Sequence, residues 1–205
     1  MIHKKQISKT QVIQPKILYY GTPVVLLTTL NEDKTSNITP MSSAWALGNR
    51  IILGLGEGGK GLENLLRHGE CVVNLPDSSL WESVELLAPL TGKTPIPEYK
   101  KCVFRYEKDK FAAAGLTPVK SIQVEPDRIG ECPLQVEAEV REIGMTGEQV
   151  RFGIIEVEAL VVHAHERIVI GANHVDPNRW NPLIYNFRHY FGLGDELGKT
   201  FRAEI

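Results

Sequence analysis

Between Val24 and Leu55 the chain alternates apolar, β-branched runs with turn residues at a spacing that suits antiparallel strands and little else. Val24-Val25-Leu26-Leu27-Thr28-Thr29-Leu30 has strand length, and Asn31-Glu32-Asp33-Lys34 turns it into a second strand over Thr35–Ile38. Ser43-Ala44-Trp45-Ala46-Leu47 reads as a third strand. Gly48-Asn49-Arg50 then turns the chain into a fourth, Ile51-Ile52-Leu53-Gly54-Leu55. A parallel pairing needs a crossover of about a dozen residues or more, and no gap here is that long. The spacing predicts an antiparallel meander and a mainly β fold.

The rest of the chain extends this pattern. Leu62, Leu65 and Leu66 fall on one face of a short helix from Gly61 to His68, with Gly69 as its C-cap. Cys71–Leu75 is a buried strand stopped by Pro76. Asp77 or Ser78 caps a helix over Leu80–Leu87 that ends at Pro89. Residues 89–100 carry Pro89, Pro95 and Pro97 and read as an irregular excursion, with weak helical character over Lys108–Ala114. Leu134, Val136, Ala138 and Val140 alternate with polar residues, as in a half-buried strand. Gly144-Met145-Thr146-Gly147 turns that strand into a long one over Phe152–His163, and Ile168–Ile170 is a last short strand. The whole reads as one domain over 1–205, with an N-terminal arm at 1–16 and a C-terminal packing tail at 180–205.

The totals exclude several classes. The composition, 42% hydrophobic and 23% charged with a net charge of −2, provides no basic face for nucleic acid. No apolar run reaches the roughly 18 residues that span a bilayer. The start, Met1-Ile2-His3-Lys4-Lys5-Gln6, has no apolar segment behind its charges, so a cytoplasmic protein is expected. The three cysteines, Cys71, Cys102 and Cys132, are scattered, which argues against a disulfide framework or a zinc site. His163 and His165 could hold a metal from one strand face, but with no third ligand in view a polar strand end is the better reading.

Two stretches carry chemistry. Asn37-Ile38-Thr39-Pro40-Met41-Ser42-Ser43 is a polar run stiffened by one proline. Gly54-Leu55-Gly56-Glu57-Gly58-Gly59-Lys60-Gly61 leads into the short helix, followed by Asn64. Backbone N–H groups at a helix start together with a lysine suit a phosphate. Gly54-x-Gly56-x-x-Gly59 also spells the dinucleotide fingerprint, and Asp77 lies where a ribose-binding acid could be. That reading fails on context: the helix is too short for a crossover, Glu57 would sit in the pyrophosphate cradle, and hairpins lie upstream.

On these residues the chain resembles the flavin reductase-like family, the FMN-binding split barrels that include flavoredoxin. The family pattern is Asn-x-x-Pro-x-Ser-Ser, a strand, a lysine-containing turn, then a helix with an Asn. Members commonly carry Lys-x-Thr with Asn three residues after the Thr; here Asn64 matches, Gly61 stands in the Thr position, and the lysine is shifted to 60. Glu131-Cys132-Pro133-Leu134-Gln135-Val136-Glu137 looks like the family's Cys-Pro-x-x-x-Glu strand opening, and the likeness spans roughly residues 20–192. Many NADH-using members have Gly-Asp-His before the strand at 152, which is absent here. The resemblance implies a six-stranded antiparallel Greek-key split barrel with peripheral helices. It implies FMN held by Asn37, Pro40, Met41, Ser42, Ser43, Gly58, Gly59, Lys60, Gly61 and Asn64. Tyr185, Arg188, His189 and Tyr190 would face the open side of the flavin or anchor the tail.

The function so implied is an NADH- or NADPH-dependent flavin reductase, with no side chain acting as acid or base. Alternatives are a flavoredoxin-type electron carrier that uses no nicotinamide and a non-catalytic ligand- or heme-handling barrel; a Rossmann dehydrogenase stands last. A partner oxygenase or an electron-transfer protein would consume the electrons. Trp180, Leu183, Ile184, Tyr185, Phe187, Tyr190 and Phe191 are too apolar for a free terminus, so part of the tail is expected to pack on a second copy in a homodimer.

Overall fold

A computed structural model describes residues 8–148, 151–201 and 203. Its centre is one antiparallel sheet. The strands of three or more residues are β1 (Tyr20–Pro23), β2 (Val25–Leu30), β3 (Ser36–Met41), β4 (Ala44–Leu47), β5 (Arg50–Gly56), β6 (Glu70–Leu75), β7 (Leu134–Thr146), β8 (Phe152–Ala164), β9 (Ile184–Asn186) and β10 (His189–Phe191). Seven of them form the main sheet in the order β3-β2-β6-β7-β8-β5-β4. The fold is therefore mainly β, as expected, with seven strands in the sheet where the resemblance implies six.

The meander does not run as predicted. β2 pairs with β3 and β4 pairs with β5, but β3 and β4, consecutive in the chain, occupy opposite edges of the sheet. Ser42 and Ser43 alone join them. Met41 and Ala44 are three Cα steps apart, so the two edges approach within about 11 Å. The sheet must curl to allow this, and the result is a barrel left open at the seam. Local spacing shows two hairpins; it does not show which edges they take.

β2 explains its own sequence. Val25 and Leu27 face a core with Leu53, Leu62, Leu65, Val73 and Ile155. Val24, which precedes the strand, and Leu26 face a second core with Ile38, Val84, Leu87, Phe111 and Leu183. All six residues of β2 are buried, so the run does not alternate apolar with charged residues, and the hydroxyls of buried Thr28 and Thr29 are hydrogen-bonded. Each large side chain so buried stabilises the fold by about 1.5–3 kcal/mol.

The helices close the ends. α1 (Lys60–His68) starts after Gly59 and ends at Gly69, whose φ of 80° is the left-handed conformation that glycine takes readily. α2 (Trp81–Leu87) follows a 3₁₀ turn over Ser78–Leu80, where the Asp77 carboxylate accepts from the Ser79 N–H. α3 (Lys110–Ala114) is capped by Asp109 and stopped by Gly115 at φ 65°. β7 and β8 form a hairpin longer than the sequence predicts, because Gly144 stays extended opposite Ile154 and positive φ is deferred to Gly147. Among the described residues no helix is long and apolar enough to cross a membrane.

The tail packs. β9 and β10 form a hairpin on β1, and the Val24 N–H donates to the Leu183 carbonyl at 2.8 Å. Leu183 is 1% exposed, whereas Phe187 and Phe191 on the hairpin remain 45% and 51% exposed. Residues 8–16 of the expected N-terminal arm are exposed, and positions 1–7 lie outside the described residues.

Candidate functional site

The seam of the barrel is a cleft of about 420 Å³. One wall is made of strand ends: Thr39 to Ser43 leaving β3, Gly54 to Gly56 on β5, and Gly59 to Leu62 at the start of α1. A second wall comes from the excursion after α2, with Leu90, Thr91, Gly92, Lys100, Phe104 and Lys110. Tyr19, Tyr185 and Tyr190 stand at a third side.

The strand wall is tight because small residues let backbones approach. A Cβ on Gly54 would lie 3.0 Å from the Ser43 Cβ, and the Gly54 N–H donates to the Ser43 carbonyl at 2.8 Å. A Cβ on Gly61 would lie 2.7 Å from Thr39 Oγ1. The Thr39 hydroxyl thus occupies the space that a side chain at 61 would need. Asn37 donates to Thr39 Oγ1 at 3.0 Å and holds it in place. Ser43 Oγ shares a hydrogen bond of 2.8 Å with Tyr19.

The cations differ in their surroundings. Lys60 Nζ donates to Glu32 and Glu63 at 2.8 Å. Lys110 is 2% exposed, and its Nζ donates to the Ile38 carbonyl at 2.7 Å. Burial pushes its pKa down to about 8. Burial also lowers that of Lys100, whose Nζ lies 5.5 Å from the Tyr99 ring centre and 5.9 Å from that of Phe104. The Tyr99 hydroxyl donates to the Glu57 carbonyl at 3.0 Å, fastening the excursion to the glycine loop.

Of the residues singled out from sequence, Pro40, Met41, Ser42, Ser43, Gly59, Lys60 and Gly61 line the cleft. Asn37 sits behind Thr39, and Asn64 is buried on Thr29 Oγ1 and Asn31 Oδ1 at 3.1 and 3.0 Å, so neither lines the cleft. Gly58 is a turn residue at φ 75°, under the Tyr99 hydroxyl. Tyr185 and Tyr190 reach the cleft, but Arg188 and His189 lie at the exposed tip of the β9–β10 hairpin and do not line it. A two-residue hairpin loop points such side chains outward, which sequence spacing alone does not reveal. Lys110, Thr91 and Tyr19 were not anticipated; the one available signal was a lysine inside the apolar, weakly helical run after Asp109.

The competing motifs find structural partners. Asp77 caps its helical turn and pairs with Arg167 at 2.5 Å, away from the glycine loop, and α1 leads into an antiparallel strand. The fingerprint at Gly54 therefore has no dinucleotide context. His163 pairs with buried Glu137 at 2.7 Å, and His165 meets the Gly130 carbonyl at 2.9 Å. Glu137 also accepts from the N–H groups of Ile122, Gln123 and Val124, which together with His163 outweigh burial and hold its carboxyl below the usual range.

Comparison with known proteins agrees with this fold. The family model of the flavin reductase like domain matches residues 17–194. The chain is 56% identical over 204 residues to the uncharacterised protein YdfE of Bacillus subtilis, with 99% of each chain covered. It is similar in structure to flavoredoxin of Desulfovibrio vulgaris, with a TM-score of 0.77, 22% identity, and 95% of this chain and 99% of that one covered. Nitrilotriacetate monooxygenase component B from Bacillus cereus gives a TM-score of 0.72 at 16% identity, covering 90% and 89%. Both likenesses concern the fold.

Proposed function

The chain belongs to the flavin reductase-like family, and from that premise we propose that it binds FMN in the seam cleft and transfers hydride from NADH or NADPH to flavin. The observation that carries this reading is the cleft itself. It joins an apolar slot, with Leu55, Leu62 and Leu90, to an end where Lys60, Gly61 and the Thr39 hydroxyl meet the start of α1. That combination suits a flat ring with an anionic tail.

The residues divide the work. Gly59, Lys60 and Gly61 hold the phosphate through backbone N–H groups and one cation. Ser42, Ser43 and Thr39 offer hydroxyls to the ribityl chain and the polar ring edge. Lys110 supplies a buried cation for the ring's N1–C2=O edge, where negative charge develops on reduction. Bound FMN would supply the hydride acceptor, and the protein's part is to position and to exclude water.

A second reading has its own support. Arg188 and His189, expected at the open face of the flavin or as anchors of the tail, stand outside the cleft, which favours an electron carrier that exchanges electrons with another protein. The structural likeness to an oxygenase component supports a partner oxygenase as acceptor. In either case the protein works as a homodimer, with exposed Phe187 and Phe191 covered by the second copy.

The test is a visible spectrum of the purified protein with FMN, repeated after adding NADH or NADPH. Flavin bands that bleach on NADH or NADPH support the reductase. Bands that bleach only with dithionite support the carrier, and a protein that leaves FMN fluorescence unquenched at micromolar concentration has neither function.

A further inference from the structure

Lys60 is held between two carboxylates of its own chain. Its Nζ lies 2.8 Å from both Glu32 oxygens and 2.8 Å from Glu63 Oε1. The arrangement follows from position. Lys60 opens α1, where the helix dipole disfavours a cation, and its side chain is only 10% exposed. A lysine so placed needs anions beside it.

The two carboxylates are not equivalent. Glu63 belongs to the first turn of α1 and is shared with Lys93. Glu32 lies in the β2–β3 turn, with a side chain 58% exposed, and its next cation, Arg67 Nε, is 3.9 Å away. That turn is well fixed. Asn31 N–H donates to the Thr35 carbonyl at 2.8 Å, the Asp33 carboxylate accepts from Thr35, and Lys34 takes φ 66°. Glu32 is therefore aimed at Lys60 by backbone geometry, while its carboxylate can swing into water at little cost. The hydrogen bond from Lys60 holds its carboxyl below the usual range, so it is charged at neutral pH.

We propose that Glu32 is a specificity-determining residue that competes with the phosphate of a bound flavin for Lys60. This rests on the FMN reading above. A phosphate arriving at Gly59–Gly61 meets a lysine whose charge is already matched, and gains it only as Glu32 withdraws. The cleft then separates FMN from riboflavin less sharply than one free lysine would. Lys110, by contrast, rests on a carbonyl.

The experiment is a fluorescence titration of FMN and of riboflavin against the wild-type chain, Glu32→Gln, Lys60→Ala and the double variant. Glu32→Gln is expected to tighten FMN by about 1.5- to fivefold, the range of an exposed ion pair, and to leave riboflavin unchanged. In the Lys60→Ala background the same change should leave the ratio of the two affinities where it was, because the effect acts through Lys60. Unchanged riboflavin binding shows that each variant is folded. A ratio unmoved by Glu32→Gln, or moved equally without Lys60, overturns the competition while the flavin reading stands. Failure of the wild type to bind either flavin overturns both.

Discussion

The two long walls of the cleft hold their lysines in contrasting ways. Lys60, on the strand wall, meets Glu32 and Glu63 at 2.8 Å and lies at the edge of solvent. Lys110, on the excursion wall, is buried against the Ile38 carbonyl, and among the described residues no carboxylate stands within ion-pairing distance of it. Charge on the first wall is offset by neighbours. On the second Glu107 offsets it only in part, and the proton itself becomes the variable part, because burial brings the Lys110 pKa to about 8. One wall adjusts its charge by exchanging partners, the other by titrating.

The largest expected effect removes the side on which both walls lean. Ending the chain after Pro182 deletes buried Leu183, the acceptor of the Val24 N–H, and the cleft residues Tyr185 and Tyr190. A loss of about 3–5 kcal/mol or more is expected from such core removal, with flavin binding and the dimer lost together. Urea unfolding and sedimentation measure this. A truncated chain that stays dimeric and binds FMN normally would make the tail irrelevant to either wall.

Replacing Lys110 sharpens the contrast. Its folded pKa lies below the unfolded value of 10.5, so between about pH 8 and 10.5 the unfolded chain holds more protons and stability rises with pH. Below that window both states are charged, and keeping the buried charge is a standing cost. Lys110→Met should therefore stabilise the chain at pH 7 by about 1–3 kcal/mol, measured by urea denaturation, and remove the rise above pH 8. Flavin binding should weaken in the variant. In the wild type it should fall as pH passes through about 8, where the cation is lost. Affinity that is flat with pH in both proteins would place Lys110 outside the binding machinery.

Lys60→Ala gives a smaller and more selective change. It should weaken FMN more than riboflavin, by about 1.5 kcal/mol or less, because Glu32 and solvent already screen the cation. Equal losses for both ligands would move the phosphate away from the strand wall. The smallest effect is expected for Ser42→Ala, a loss of about 0.5–1.5 kcal/mol shared by both flavins, since its hydroxyl is assigned to the part they have in common. A loss confined to FMN would reverse that assignment.

The walls also differed in how far residues in order disclosed them. The strand wall is local. Pro40 through Ser43 and Gly59 through Gly61 are contiguous, and turn chemistry and glycine spacing place them next to a strand end and a helix start whatever the rest of the chain does. The excursion wall is assembled from Leu90 to Lys110, where prolines at 89, 95 and 97 suppress periodicity and only the weakly helical run around Lys110 leaves a pattern to read.

Sequence alone determined the mainly β character, the hairpins at 24–38 and 43–55, the capped helix at Gly69 and the polar and glycine-rich stretches of the site, because each rests on preferences within a few residues. Tertiary structure decided that β3 and β4 take opposite edges, that Asn37 and Asn64 stand behind the cleft, and that Arg188 and His189 leave it. It also brought Lys110 against Ile38 and Glu32 against Lys60, pairs 72 and 28 residues apart. Edge choice and long-range pairing depend on how the whole sheet curls to bury both faces of β2, and that is a property of the assembled core, which no short segment contains.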